Sequence, residues 1–201
     1  MAGSTAADRI LALAHDLGVL RLRDVTALGI HPEYVRRLTA AGQLIRTGRG
    51  LYVLPDADLT ESHSLVEAAK RVPEGVVCLL SALQFHDIGT QLPRQVWLAL
   101  DYKARRPRID YPPLRIVRFS GEALNTGIER HTIEGVQVRI YDPGKTIADC
   151  FKYRNKIGLD VALEALREGW RARLFTMDEL WRYAAICRVA NVMRPYVEAL
   201  Q

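Results

Sequence analysis

A chain of 201 residues, 49% hydrophobic and 25% charged, can build one medium or two small folded domains, which excludes an intrinsically disordered protein. The formal charge of +5 suits a polyanionic partner but decides little until it is localised. Three cysteines with no CxxC pair speak against a disulfide framework or a zinc site, and no apolar run approaches the roughly 18 residues of a membrane span, so a cytoplasmic protein with no membrane association, metal or cofactor is expected.

Thr5 and Asp8 stand at capping-box spacing, and Ile10, Leu13, Ala14 and Leu17 form the apolar stripe of a first helix that Gly18 stops. A second helix, Arg23 to Leu28, places Val25 and Leu28 on one face and ends at Gly29. Pro32 suits the first turn of a third, which turns Val35, Leu38 and Ala41 inward, shows Glu33, Arg36, Arg37 and Ala40 outward, and stops at Gly42. Gln43 to Ile45 and Leu51 to Leu54 read as a β-hairpin around Thr47-Gly48-Arg49-Gly50, with two residues free to take positive φ.

Helix, turn, helix and basic hairpin in this order are the plan of a winged helix-turn-helix. In that plan the second helix of the pair enters the major groove, so His31, Glu33, Tyr34, Arg36 and Arg37 are the base-reading candidates. Arg46 and Arg49 flank the wing tip, where a guanidinium is attracted to the backbone or the minor groove whichever base is present. Arg21 and Arg23, at the start of the second helix, either touch phosphate or are merely solvated. The competing reading of the whole motif is a solvated helix beside a scaffold hairpin, as in winged helices that bind only protein.

Charge segregates along the chain. Residues 21–54 hold six Lys+Arg against two Asp+Glu, residues 55–93 two against six, and residues 94–118 seven against two. Pro55-Asp56-Ala57-Asp58 breaks the β pattern, so the expected organisation is a DNA-binding winged helix over residues 1–57 followed by a larger mixed domain over residues 58–201, an α+β protein.

In the second part a helix is expected from His63 to Val72, a short strand at Val76 to Cys78, and a helix from Leu80 to His86. Strands follow at Gln95 to Leu100, Leu114 to Phe119, Arg130 to Glu134 and Val136 to Tyr141. The last third is helical: Asp142 caps a helix to about Tyr153, Asp160 caps Val161 to Trp170, Thr176 and Glu179 form a capping box, and Asn191 opens a final helix with Pro195 in its first turn. Two further basic features stand out. Lys103, Arg105, Arg106 and Arg108 lie in one proline-containing loop that touches nucleic acid, grips an acidic partner or serves solubility, and Lys145, Lys152, Arg154 and Lys156 form a basic helical surface.

Signals for catalysis are weak. Asp142 to Thr146 ends like a phosphate-binding loop, but Arg139 stands where that loop needs its first glycine. Asp101 and Lys103, with Asp87 as a second carboxylate, have the order of a metal-dependent nuclease, a spacing common by chance. His86 beside Asp87 has no serine or cysteine in an elbow to activate.

Three stretches carry a family resemblance: YDPGKTIADCFKYRNKIGLDVALEAL from Tyr141 to Leu166, VCLLSALQFHDIGTQLPRQVWLAL from Val77 to Leu100, and RGLY from Arg49 to Tyr52. Together they resemble the AbiEi family of antitoxins and transcriptional regulators. The resemblance implies a winged helix that binds inverted repeats in its own promoter, as a dimer or as paired monomers. It also implies a C-terminal domain that counters a nucleotidyltransferase-like toxin without a stable complex. Solitary regulators with no toxin neighbour share the pattern. The expectation is therefore a non-enzymatic, DNA-binding autorepressor and antitoxin, against a nuclease as the rival from another class.

Overall fold

The computed structural model describes residues 5–57 and 61–200, so Asp58 of the expected linker lies outside the described residues. The Thr5 hydroxyl accepts the Asp8 N–H at 3.2 Å and the Asp8 carboxylate accepts the Thr5 N–H at 2.9 Å, which starts α1 (Ala6–Leu17) as the capping box required. After β1 (Leu20–Arg21) come α2 (Leu22–Ala27), α3 (Glu33–Ala40), β2 (Ile45–Gly48) and β3 (Leu51–Val53). The strands form an antiparallel sheet in the order β1-β3-β2. Strand β1 had no sequence signature, because two residues are too few to show a period of two.

Ile10, Ala14, Leu20, Val25, Ile30, Val35, Leu38, Leu44 and Tyr52 close one core between α1, α2, α3 and this sheet. Two side chains expected in it are outside. Leu28 is 43% exposed and Ala41 is exposed, because each is the C-cap of its helix and the chain turns away there. Gly29 and Gly42 follow with φ of +71° and +72°, the left-handed stops expected of them. Next comes α4 (His63–Arg71), which buries Leu65, Val66 and Ala68 and also the carboxylate of Glu67.

The second sheet holds β4 (Val76–Val77), β5 (Val96–Asp101), β6 (Leu114–Phe119), β7 (Ile128–Ile133) and β8 (Val136–Tyr141) in the order β6-β5-β4-β8-β7. β4 runs antiparallel to β5 and parallel to β8, and β5 runs parallel to β6. Between these strands lie α5 (Leu79–Phe85) and α6 (Glu122–Asn125). Glu134 and Gly135, both at positive φ, make the tight turn between β7 and β8.

The helical third begins with α7 (Pro143–Lys152), where the Asp142 side chain caps the Lys145 N–H at 2.7 Å. It continues through α8 (Arg154–Ile157), α9 (Leu159–Arg171), α10 (Met177–Ile186) and α11 (Ala190–Glu198). The capping box of Thr176 and Glu179 forms as expected. Two expectations are corrected. Asp160 lies inside α9, which starts from Gly158 at φ +101°. Pro195 is the sixth residue of α11, past its first turn, because the backbone N–H groups of Val192 and Met193 already bond to Val189 and so start the helix earlier than Asn191.

Packing divides the chain into two compact units, Met1–Pro73 with 109–112 and 131–138, and Glu74–Arg108 with 113–130 and 139–201. The first unit thus takes in α4, which the break at residue 57 had assigned to the second domain. No helix of the described residues is long and apolar enough to cross a membrane.

Candidate nucleic-acid interface

Because Val35 and Leu38 are buried, the opposite side of α3 must present Glu33, Arg36, Arg37 and Ala40. Arg36, with 79% of its side chain exposed, reaches back one turn to Glu33 at 3.2 Å. Arg37 lies over the ring of Tyr34, 5.8 Å from its centroid, and Tyr34 is 40% exposed. These groups form one surface with two guanidiniums and an aromatic ring. His31 is exposed, but its Nδ1 accepts the Glu33 N–H at 3.2 Å. It caps a helix whose N-cap residue, Pro32, has no side chain able to do so, and this commits one of its two ring nitrogens.

In the wing, Ile45 pairs with Val53, Arg46 with Tyr52 and Gly48 with Leu51, with a bulge between Arg46 and Gly48. Arg49 and Gly50 remain as the turn, and only Gly50, at φ +73°, is left-handed. Of the two glycines free to take positive φ, Gly48 does not use that freedom. Gly48 is small for another reason: a Cβ there would come within 2.5 Å of the Arg71 guanidinium. Arg46 donates from Nε to the Gly48 carbonyl at 3.1 Å and stiffens the wing. Arg49 is exposed and, among the described residues, makes no hydrogen bond or ion pair.

Arg21 is already engaged within the first unit. Its guanidinium grips Asp24 at 2.9 Å and donates to the Lys70 carbonyl at 3.2 Å. Burial alone would raise the Asp24 carboxyl, yet Arg21 holds it below the usual carboxylate range. Arg23, two residues on, is exposed.

Residues that no sequence argument singled out support the wing. Glu67 is fully buried, its carboxylate 3.7 Å from His63 Nε2, while His63 Nδ1 lies 2.7 Å from Glu134. Among the described residues neither Glu67 oxygen has a hydrogen-bond donor, and Nε and Nη2 of Arg71 have no acceptor. A spacing of four between His63, Glu67 and Arg71 on α4 was the available signal.

The Glu67 carboxylate, opposed by burial and helped by Glu134, raises the His63 pKa from 6.5 to about 8. A folded-state value above the unfolded one stabilises fully below the unfolded pKa, and that stability is lost as pH rises through the folded one. His63→Gln is therefore expected to cost about 1–2 kcal/mol near pH 6 and almost nothing near pH 9, allowing for partial solvent screening. Urea unfolding at the two pH values measures this; an equal loss at both would show that the imidazolium charge is irrelevant.

In the second unit the expected basic surface is only partly there. Lys145 is fully buried and pairs with the equally buried Asp149 at 2.5 Å, four residues on. Its ammonium sits 4.1 Å from the centroid of the Tyr141 ring and 4.8 Å from that of Phe119, and Cys187 Sγ lies 3.1 Å from the other Asp149 oxygen. This helix start is a core staple, with no glycine-rich loop at Arg139, which instead donates to the Glu74 carbonyl at 3.1 Å. Lys152 and Lys156 are exposed, and half-buried Arg154 donates to the Phe151 carbonyl at 2.9 Å.

Lys103, Arg105, Arg106 and Arg108 are all exposed. Asp101 accepts the Lys103 backbone N–H at 2.8 Å, so its carboxylate closes the turn after β5, and the Lys103 ammonium lies over the Tyr102 ring. Asp87 is an exposed, positive-φ residue in the turn after α5. Among the described residues no three His, Cys, Asp or Glu side chains group so as to hold a metal ion.

Residues 8–55 match the family model described as "Transcriptional regulator, AbiEi antitoxin". The resemblance expected from the sequence is thereby borne out over α1, the helix pair and the wing. No curated protein matches the chain. Among solved structures, the chain is similar to the crystal structure of the RV2827C protein from Mycobacterium tuberculosis, with a TM-score of 0.55 and 14% identity over 97% of this chain and 80% of that one. At that identity the likeness speaks for the fold, and the mixed α/β architecture with a helix-turn-helix at its N-terminal end agrees with it.

Proposed function

We propose that the protein is a cytoplasmic, non-enzymatic repressor of its own promoter. Residues 1–57 would read inverted repeats in double-stranded DNA, and the remainder would act as antitoxin against a nucleotidyltransferase-like toxin. The observation that carries the DNA half is the joint exposure of Arg36, Arg37 and Tyr34 on α3 and of unpaired Arg49 on the wing, within a segment that matches an antitoxin regulator family. Tyr34, Arg36 and Arg37 meet base edges, while Arg46, Arg49 and Arg23 meet phosphate and set the register. Two copies, as a dimer or as paired monomers, occupy the two half-sites and block the promoter. The antitoxin half rests on the family match.

The deciding experiment is fluorescence anisotropy of the full chain on the duplex upstream of its own gene and on a scrambled duplex, over a salt series. Tight, salt-dependent binding that prefers the upstream duplex is expected; no salt-dependent affinity for either would overturn the reading. Arg49→Ala should weaken both duplexes alike and flatten the slope of log affinity against log salt by about one unit. For the antitoxin half, growth is scored when this chain and the neighbouring reading frame are expressed together and apart. A neighbour that is harmless alone would defeat it.

A further inference from the structure

A cleft of about 1020 Å³ opens in the second unit where the last turn of α9, the connection to α10 and the residues after α11 come together. Its apolar lining includes Trp170, Leu174, Phe175 and Leu200, and Leu174 is 39% exposed. Arg167, Arg171 and Arg173 stand around it, all exposed. We infer that this cleft docks an acidic peptide segment of a protein partner, one that carries a large apolar side chain between its carboxylates.

The charge argument turns on where the nearby acids point. Glu164 and Glu168 precede Arg167 and Arg171 by three residues on α9, a spacing at which helical ion pairs form. They are drawn elsewhere: Glu164 accepts from the Thr90 hydroxyl at 3.1 Å, and Glu168 accepts the Gly89 N–H at 2.6 Å. Among the described residues none of the three arginine side chains has an ion pair or a hydrogen bond. Three unpaired guanidiniums beside one cleft repel each other, and an acidic occupant relieves that repulsion.

The lining decides between a peptide and a nucleotide. Apart from the three arginines, its polar side chains are Thr176 and Glu179, which are spent on each other, since the Thr176 hydroxyl donates to Glu179 at 2.9 Å and accepts the Glu179 N–H at 3.2 Å. Between the arginines the floor is apolar, so an aliphatic or aromatic side chain gains by leaving water there, whereas a base, polar around its edge, would be matched only at the arginine rim. The volume is at the upper end of small-molecule sites, roughly 300–1,000 Å³, and has room for more than one side chain.

The test is selection from a library of random peptides about 12 residues long on the full chain, and in parallel on its Arg171→Glu/Arg173→Glu variant. Enrichment of sequences with Asp or Glu flanking Leu, Ile, Phe or Trp is expected on the parent only. Labelled copies of those peptides should bind the variant about tenfold or more weakly and lose affinity with salt. Both arginines are exposed, so the variant should keep the parent's circular dichroism and its affinity for the upstream duplex. That unchanged DNA affinity keeps this result separate from the repressor reading. No enrichment, enriched peptides without acids, or equal binding to the variant would overturn the inference. So would displacement of the peptide by ATP or an oligothymidylate strand.

Discussion

Replacing Lys145 by methionine is expected to destabilise the second unit by about 3–5 kcal/mol, although the substitution removes a charge and fills similar space. Lys145 and Asp149 are both fully buried, so methionine leaves Asp149 as an uncompensated carboxylate with only the weak Cys187 thiol donor beside it. Burial already raises the Asp149 carboxyl, with Lys145 the main opposing influence, so its loss pushes the group further toward the protonated form. The double substitution Lys145→Met/Asp149→Leu should recover most of the loss, because a pair of apolar groups carries no desolvation penalty. Urea unfolding of both single variants and the double gives the coupling. Additive losses would mean that the pair is not an energetic unit.

Arg37→Ala and Arg36→Ala should each cost about 1–3 kcal/mol on the specific duplex, with a smaller loss on a scrambled one. Arg36 first has to leave Glu33, but an exposed pair of this kind is worth only about 0–1 kcal/mol, less than a bidentate contact to a guanine edge supplies. Arg37 brings Tyr34 with it, since the guanidinium rests over the ring. Substituting either should relax the preference at one or two base pairs, read by competition with single-base variants of the upstream duplex. If these variants lose the same affinity on every duplex, as expected for Arg49→Ala, then α3 contacts backbone and does not read bases.

Much of the winged helix was legible because its signals are local. A capping box at Thr5 and left-handed glycines after two short helices act within a few residues and form where their patterns lie, while the hairpin around the glycine-flanked arginine forms with its first strand, Ile45–Gly48, two residues later than the expected Gln43 start. The β-rich apolar run of Val96, Trp97 and Leu98 and the alternation of Val136, Gln137 and Val138 announced strands in the same way, but not the β6-β5-β4-β8-β7 order that joins them. The outward face of α3 followed from the period of 3.6 once Val35 and Leu38 were assigned to the core.

Roles that depend on a distant partner could not be read in this way. Arg21 looks like a phosphate contact until the Lys70 carbonyl, 49 residues away, is seen to hold it. Lys145 looks like part of a basic surface until the rings of Phe119 and Tyr141 and the carboxylate of Asp149 enclose it. Glu67 has the composition of a solvated helix face, yet it is buried close to Gly48 of the wing, and Glu164 and Glu168 leave their arginines for a loop more than 70 residues away in the chain. Short-range steric and hydrogen-bonding preferences write helices, turns and strand faces into the order of residues. The state of a charge depends instead on what the folded chain brings beside it, and only three-dimensional packing distinguishes a free guanidinium from one already paired.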